Sequence, residues 1–136
     1  MVPMIPKISV EFPPNYMQIV AAVGKPPDTA IYTYGDTIYD PSNMELDDYV
    51  VAHEIEHIVQ QKEIGAAEWW EHWIERVEFR VWQELEGYRA QFRSYAKVHK
   101  DRNLQAWYAR GLASDASGPM YGHMIGFQEA YQRIRS

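Results

Sequence analysis

The sequence predicts an α+β protein, with a small antiparallel or mixed sheet near the N-terminus and a helical core after it. Seven of the eight prolines lie before residue 42, which favours strands and irregular chain in the first third. Beyond that point, apolar side chains recur at the spacing of an α-helix. Strands followed by helices are typical of the α+β class. Because the chain has 136 residues and no internal repeat, we expect one domain over residues 1–136.

The predicted strands are short and are bounded by proline and glycine. They cover residues 8–12, 29–34 and 37–39. The first alternates apolar and polar side chains until Pro13. The other two are rich in β-branched and aromatic residues, and Gly35-Asp36 between them suits the two-residue turn of a β-hairpin. A short helix over residues 15–23, which stops at Gly24, is predicted between the first strand and the hairpin.

The helical part is predicted as four stretches separated by glycines and loops. They cover residues 42–64, 66–100, 102–112 and 126–134. Ser42 and Glu45 match a capping box at the start of the first stretch, and Gly65 is its expected stop. The second stretch is predicted either as one continuous helix or as two helices separated by a single break. Residues 113–118 are predicted to be a loop.

The composition excludes several classes of function. A net charge of −6 and a pI near 5.3, without any run of basic residues, argue against general affinity for nucleic acid or anionic membrane. The absence of cysteine excludes disulfides, a thiol nucleophile and a Cys-based zinc site. The N-terminus lacks the pattern of a signal peptide, and no apolar run is long enough for a transmembrane helix. We therefore expect a soluble, cytoplasmic protein.

The segment His53-Glu54-Ile55-Glu56-His57 places two histidines four residues apart in a predicted helix. Residues at this spacing lie one above the other on the same face, so both imidazoles can reach one Zn²⁺ ion. Glu54 lies about 100° further round the helix, beside such an ion, where it can accept a proton from water. The surrounding apolar residues indicate a mostly buried helix, in which two histidines need partners. The alternative is that both are ordinary polar members of a surface helix.

A catalytic zinc site usually has three protein ligands, and Glu84 and Glu86 are the candidates for the third. Glu84 falls on the apolar stripe of its predicted helix, whereas Glu86 lies about 200° away on a mixed face. A carboxylate on an inward face is costly unless it is paired or binds a metal. Glu84 is therefore the preferred ligand and Glu86 the second choice. The alternative is that no metal binds and that the buried Glu84 carboxylate pairs with Arg80 or with a backbone N–H.

These residues resemble the gluzincin branch of the zinc metallopeptidases. The resemblance covers roughly residues 29–92 and consists of the His-Glu-x-x-His motif followed by Glu84-Leu85-Glu86-Gly87-Tyr88 on a later helix. It implies a minimal zincin-like fold, a Zn²⁺ ion held by His53, His57 and Glu84, and a peptide or protein as substrate. Tyr88 stands where those families usually have Asp. Residue 63 is Glu, whereas the metzincin branch would have a third histidine there.

The resemblance also implies where a substrate would bind. Members of this fold bind extended peptides along an edge strand just before the motif helix, which would be residues 37–39 in this chain. An ordinary hairpin is the alternative. Near the C-terminus, Tyr121 and His123 lie among glycines in a predicted turn, and either could donate a hydrogen bond to an oxyanion beside the metal. The alternative is a loop that packs an aromatic ring on the core.

Together these features predict a zinc-dependent hydrolase, a metallopeptidase by resemblance. Glu54 is expected to act as the general base and to pass the proton to the leaving amine. The rival hypothesis is a non-catalytic binding or assembly module that keeps a zincin-like shape and its metal.

Overall fold

A computed structural model describes residues 5–136. The first four residues, which belong to the N-terminal segment in which no signal peptide is expected, lie outside this range. The strands of the described residues are β1 (Lys7–Ser9), β2 (Tyr32–Tyr34) and β3 (Thr37–Tyr39). Their helices are α1 (Tyr16–Val23), α2 (Asp48–Ile64), α3 (Ala66–Glu75), α4 (Val77–Val98), α5 (Arg102–Ala116) and α6 (Phe127–Arg135), with a short 3-10 helix at Pro119–Tyr121. The α+β class is confirmed, and helices dominate.

The sheet is mixed and has the strand order β1-β3-β2. The predicted hairpin is confirmed, since β2 and β3 pair in antiparallel fashion around Gly35, whose φ of +67° suits glycine. The prediction that residues 37–39 form an edge strand of the sheet is wrong. β1 pairs in parallel with the far side of β3, so β3 is the central strand and β2 is the edge nearest the helices. The first predicted strand also ends early, at Ser9, whose carbonyl accepts a hydrogen bond from the backbone of Asp40.

The start of α2 differs from the capping-box prediction. The hydroxyl of Ser42 donates to the carbonyl of Asp28 and does not cap a helix. Glu45 has a φ of +55°, a left-handed conformation that interrupts any right-handed helix. The carboxylate of Asp40 holds the backbone of this turn by accepting from Met44 N–H at 2.8 Å. The helix therefore begins only at Asp48, and Gly65 ends it as predicted.

The remaining helices follow the predicted pattern, with two adjustments. The long second stretch is broken once, at Arg76, where extended backbone separates α3 from α4. Arg80 stabilises this break, because its guanidinium donates to the carbonyls of Trp73, Ile74 and Met120 at 2.8–2.9 Å. α5 continues to Ala116, so most of the predicted loop at residues 113–118 is helical.

The core lies between the helices and contains an unusual share of large aromatic side chains. Trp69, Trp70 and Trp73 of α3 are all buried, and 7% or less of each residue is exposed to solvent. Ile58 of α2 and Leu85 of α4 are almost completely buried. Burial of each such side chain contributes about 1.5–3 kcal/mol. In residues 5–136, no helix combines the length and apolar character that a membrane crossing needs.

Candidate metal centre

The two motif histidines lie one turn apart on the buried face of α2. His53 and His57 are 6% and 4% exposed, and their rings meet edge to face with centroids 4.8 Å apart. Their Nε2 atoms are 3.1 Å apart. The prediction that this helical spacing directs both imidazoles at one point is therefore confirmed, since the two Nε2 atoms converge.

Glu84 of α4 completes a triangle with these nitrogens. Its Oε1 lies 3.1 Å from His53 Nε2, and its Oε2 lies 3.1 Å from His57 Nε2. Tetrahedral zinc ligands at about 2.0–2.1 Å from the metal would be about 3.3 Å apart, close to this spacing. The three residues thus form a His-His-Glu group with the dimensions of a metal site. Glu86 is exposed and pairs with Arg89 at 3.0 Å, so the structure brings Glu84 and not Glu86 to the histidines.

Two glutamine amides determine which nitrogen of each histidine carries a proton. Gln60 donates its NH₂ group to the carbonyl of Gln83, which can only accept, so the amide oxygen of Gln60 faces His57 Nδ1 at 2.8 Å. The amide oxygen of Gln91 faces His53 Nδ1 at 2.9 Å, while its NH₂ group donates to the hydroxyl of Tyr108. The Nδ1 of His57 is therefore a donor, and with Gln91 in this orientation the Nδ1 of His53 is a donor as well. In the neutral ring each Nε2 then carries a lone pair.

This arrangement fits a metal ion. Two imidazole lone pairs and a carboxylate converge within 3.1 Å of one another, which is unfavourable unless a cation lies between them. Two imidazole nitrogens and one carboxylate oxygen are also a common ligand set of catalytic zinc. Trp73 supports the set by donating its indole N–H to Glu84 Oε2 at 3.0 Å.

The electrostatics of the group show the same demand for positive charge. Burial alone would raise the pKa of Glu84, but His57 and His53 hold it well below its usual range. Burial alone would lower the pKa of His57, but the Glu84 carboxylate outweighs this effect and raises the pKa to about 9. Without a metal, the proton on His57 supplies the positive charge that neutralises the Glu84 carboxylate, and a bound metal ion would replace that proton.

Glu54 lies beside the triangle and not in it. Its Oε2 is 3.9 Å from His53 Nε2, while its Oε1 accepts a hydrogen bond from the hydroxyl of Thr33 at 3.0 Å. The same hydroxyl lies 3.3 Å from the backbone carbonyl of Glu54, so β2 holds this part of α2 from the side. Burial raises the pKa of Glu54, although the neighbouring histidines oppose the shift. The result is a positioned carboxylate next to the three candidate ligands.

Gly87 is the reason why α4 can approach His53 closely. A Cβ atom at this position would lie 2.8 Å from His53 Nε2 and 2.9 Å from Cε1, closer than real contacts allow. The next residue, Tyr88, packs its ring edge-on against His53 with centroids 4.8 Å apart. Position 88 therefore contacts the histidine through an aromatic ring, and Gln91 supplies the hydrogen bond to its Nδ1.

Of the two candidate oxyanion donors near the C-terminus, Tyr121 lines the cavity and His123 does not. Tyr121 is buried and lines the same cavity as His53, Glu54 and His57, and its hydroxyl lies 3.5 Å from that of Tyr88. Burial raises the pKa of both phenols, so both stay protonated at neutral pH and can donate hydrogen bonds. His123 is exposed, its Nδ1 faces the carbonyl of Ser117 at 3.0 Å, and it is not among the residues that line the cavity.

Several residues of the site carry no marked signal in the sequence. Gln91 follows Glu84 by seven residues, two turns along the same face of α4, and Gln60 follows His57 by three, so helical spacing could have suggested both. Trp73 and Thr33 reach the site from other elements, α3 and β2, and no spacing rule links them to it. Hydrogen-bond partners of this kind position metal ligands and general bases.

No protein-family model, no curated protein and no solved structure matches this chain. What the protein does must therefore be inferred from the geometry and chemistry of the site.

Proposed function

We propose that this chain is a zinc-dependent hydrolase, a metallopeptidase of the gluzincin type with a zincin-like fold, which cleaves amide bonds in peptides or proteins. The observation that carries the proposal is the convergence of His53, His57 and Glu84 at mutual distances of 3.1 Å beside the buried carboxylate of Glu54. The cavity at this group supports it, since a reaction needs space next to the ligands.

A zinc ion held by the three ligands would supply a Lewis acid that polarises a carbonyl and lowers the pKa of water. The role of Glu54 is to accept the proton of the attacking water and to deliver it to the leaving amine nitrogen. Its raised pKa suits both steps, because a general base works best when its pKa is near the operating pH. The Thr33 hydroxyl orients one oxygen of Glu54 and leaves the other directed towards the ligands.

Tyr121 is the residue best placed to stabilise negative charge on the carbonyl oxygen of a substrate. Its side chain lines the cavity, and the raised pKa of its hydroxyl keeps that group a hydrogen-bond donor. Tyr88 lies next to it and can hold its orientation through the contact between the two hydroxyls. His123 has no part in this mechanism, because it lies outside the cavity.

A second candidate is a non-catalytic binding module that retains the metal. The burial of the site favours it, since the metal ligands and Glu54 are each 8% exposed or less and a substrate has little direct access. In such a module the metal would stabilise the packing of α2 on α4, and Glu54 would have no chemical role.

The test compares wild type with Glu54→Gln and with Glu56→Gln, which makes the same change on α2 outside the cavity. Each protein is purified, its zinc content is measured, and cleavage of a mixed peptide library is followed by mass spectrometry. We expect zinc in all three, and a loss of cleavage of about 10²-fold or more only in Glu54→Gln, in line with the contribution of a general base.

The other outcomes separate the hypotheses. Zinc in all three proteins with no cleavage in wild type would support the binding module. No zinc in wild type after reconstitution, while the protein remains folded, would overturn both hypotheses. Cleavage that persists in Glu54→Gln at the rate of wild type would show that Glu54 is not the base.

A further inference from the structure

The cavity beside the metal ligands is small and mostly apolar. Its volume is about 380 Å³, near the lower end of the ~300–1,000 Å³ typical of small-molecule sites. Its walls include the aromatic side chains of Tyr32, Trp70 and Trp73 and the apolar side chains of Ile19 and Met120. A cavity of this size and lining suits one apolar or aromatic side chain together with the amide beside it.

The edge of the sheet is closed to a long substrate strand at the point nearest the site. Ile38 of the central strand directs its backbone groups towards β1, so those of Thr33 opposite point away from β3 and would be available to an added strand. The carbonyl of Thr33 instead accepts hydrogen bonds from Trp70 Nε1 and Gln61 Nε2, both at 2.9 Å. The N–H of Gly35 donates to Gln61 Oε1 at 2.7 Å. Side chains thus occupy two of the backbone groups, the Thr33 carbonyl and the Gly35 N–H, to which an extended peptide would bond on this edge.

Apart from the histidines, the charged side chains that line the cavity are all acidic. Among the described residues that line it, the charged side chains other than the histidines are the carboxylates of Glu54, Glu84 and Asp115, and none is Lys or Arg. A divalent metal would balance Glu54 and Glu84, so that Asp115 is the remaining carboxylate of the lining. Asp115 forms no ion pair within residues 5–136.

Asp115 lies where the cavity meets solvent. It is exposed, and it lines both this cavity and a neighbouring groove that also contains Trp107 and Arg110. Its position on α5 therefore puts a carboxylate at the rim, with the metal ligands at the buried end.

We infer that the substrate of this site is a short amide with a positively charged amino group, such as the amino end of a peptide. The Asp115 carboxylate binds the ammonium at the rim, and an apolar or aromatic side chain fills the cavity. The inference rests on the proposed hydrolase function and adds to it the class of substrate. Acidic groups are excluded by like charge, and long strands are excluded by the closed edge of β2.

The test measures binding apart from catalysis, in zinc-loaded Glu54→Gln protein. Phenylalaninamide, which has a free ammonium, is compared with N-acetylphenylalaninamide, which has none, by tryptophan fluorescence, since Trp69, Trp70 and Trp73 line the cavity. We expect the free amine to bind about tenfold more tightly, as a charge-assisted hydrogen bond would provide.

Adding Asp115→Asn to this protein should weaken binding of phenylalaninamide about five- to tenfold and leave the acetylated ligand unaffected. Asp115→Glu, which keeps the charge, should preserve most of the difference. Glu129→Gln removes a carboxylate on α6 outside the cavity and serves as the matched control. Equal affinities for the two ligands, no binding of either, or no effect of Asp115→Asn would overturn the inference.

Hydrolysis by wild type distinguishes this failure from failure of the proposed function. Cleavage of blocked and free peptides at equal rates would overturn the amino-end inference while leaving the hydrolase intact. A preference for the ammonium ligand that depends on Asp115, without any hydrolysis by wild type, would support the binding inference and contradict the proposed function.

Discussion

At the scale of single residues, the site depends on where protons and lone pairs lie. Each motif histidine presents Nδ1–H to a glutamine oxygen, and this leaves both Nε2 atoms facing Glu84. The sequence motif predicts the two imidazoles, but the amides of Gln60 and Gln91 make them usable as ligands, because the other tautomer would carry its proton on Nε2 and could not bind a metal through that atom.

The pH dependence of zinc binding follows from His57. Without metal, this imidazole keeps its proton below about pH 9, because Glu84 raises the pKa of the buried ring to about 9. Zinc has to displace the proton, so the apparent affinity should rise about tenfold for each pH unit up to about pH 9 and level off above it. Competition with a chromophoric chelator over this range would measure the slope.

Two further measurements check this prediction. Zinc binding in weakly buffered solution near neutral pH should release about one proton per ion. The pKa of His57 in the folded protein is raised above its ordinary value of 6.5, so its protonation stabilises the metal-free fold. This contribution to the free energy of unfolding is fully present below about pH 6.5 and is lost as the pH rises through about 9. An affinity that does not change between about pH 7 and about pH 8 would contradict the assignment.

At the scale of secondary-structure elements, the candidate metal centre lies at the contact between α2 and α4. This is the most extensive contact between any two elements of the described residues, and all three ligands lie on it. α4 can approach only because Gly87 has no side chain, although glycine inside a helix costs about 1 kcal/mol relative to alanine. Its presence is explained by the approach of the His53 ring.

Gly87→Ala should therefore damage the site and not the helix. The added Cβ would meet the His53 ring at 2.8 Å, so the imidazole must turn or α4 must move away. We expect a zinc affinity lower by about 10- to 100-fold, the range seen when the support of a metal ligand is disturbed. Isothermal titration with zinc would measure it.

Gly111→Ala is the matched control, because a Cβ added at this position on α5 would have no atom within 4 Å. It should leave zinc affinity unchanged and stabilise the protein by up to about 1 kcal/mol in chemical denaturation. If Gly87→Ala behaves like Gly111→Ala, α4 does not need the close approach for metal binding.

At the scale of the whole molecule, we expect the fold to form without a metal, unlike that of a small zinc finger. The core includes three buried tryptophans of α3 and apolar residues from α4, α5 and α6, such as Leu85, Leu112 and Ile134. Such burial supplies the stability that other small domains take from disulfides or structural metals.

Removal of zinc should accordingly lower stability without unfolding the protein. We expect the metal-free protein to keep its far-UV circular dichroism at room temperature, because the hydrophobic core consists of apolar residues other than the three candidate ligands. Zinc at about a hundred times its dissociation constant should add about 2.7 kcal/mol and raise Tm by several degrees. Thermal melts with zinc and with a chelator would show the shift.

His53→Ala is the variant that tests the cause of this shift. It should melt at the same temperature with zinc and with chelator, since it lacks one of the three ligands. Loss of helical signal from wild type on chelation alone would contradict the prediction and show that the metal holds the fold together.

Features that depend on neighbours along the chain could be predicted from the amino-acid sequence. The α+β class, the hairpin around Gly35 and the stop of α2 at Gly65 follow from local backbone preferences. The convergence of His53 and His57 follows from the rise and turn of one helix. The preference for Glu84 over Glu86 also follows from the faces of a single helix.

Features that link distant parts of the chain required the packed fold. Thr33 reaches Glu54 across 21 positions and Gln91 reaches His53 across 38, distances over which no periodicity carries information. Pairing of β1 with the far side of β3 made the predicted edge strand central. Packing of the C-terminal turn placed Tyr121 in the cavity and left His123 in solvent. Local spacing determines which atoms one helix presents together, whereas the packing of separate elements determines what those atoms meet.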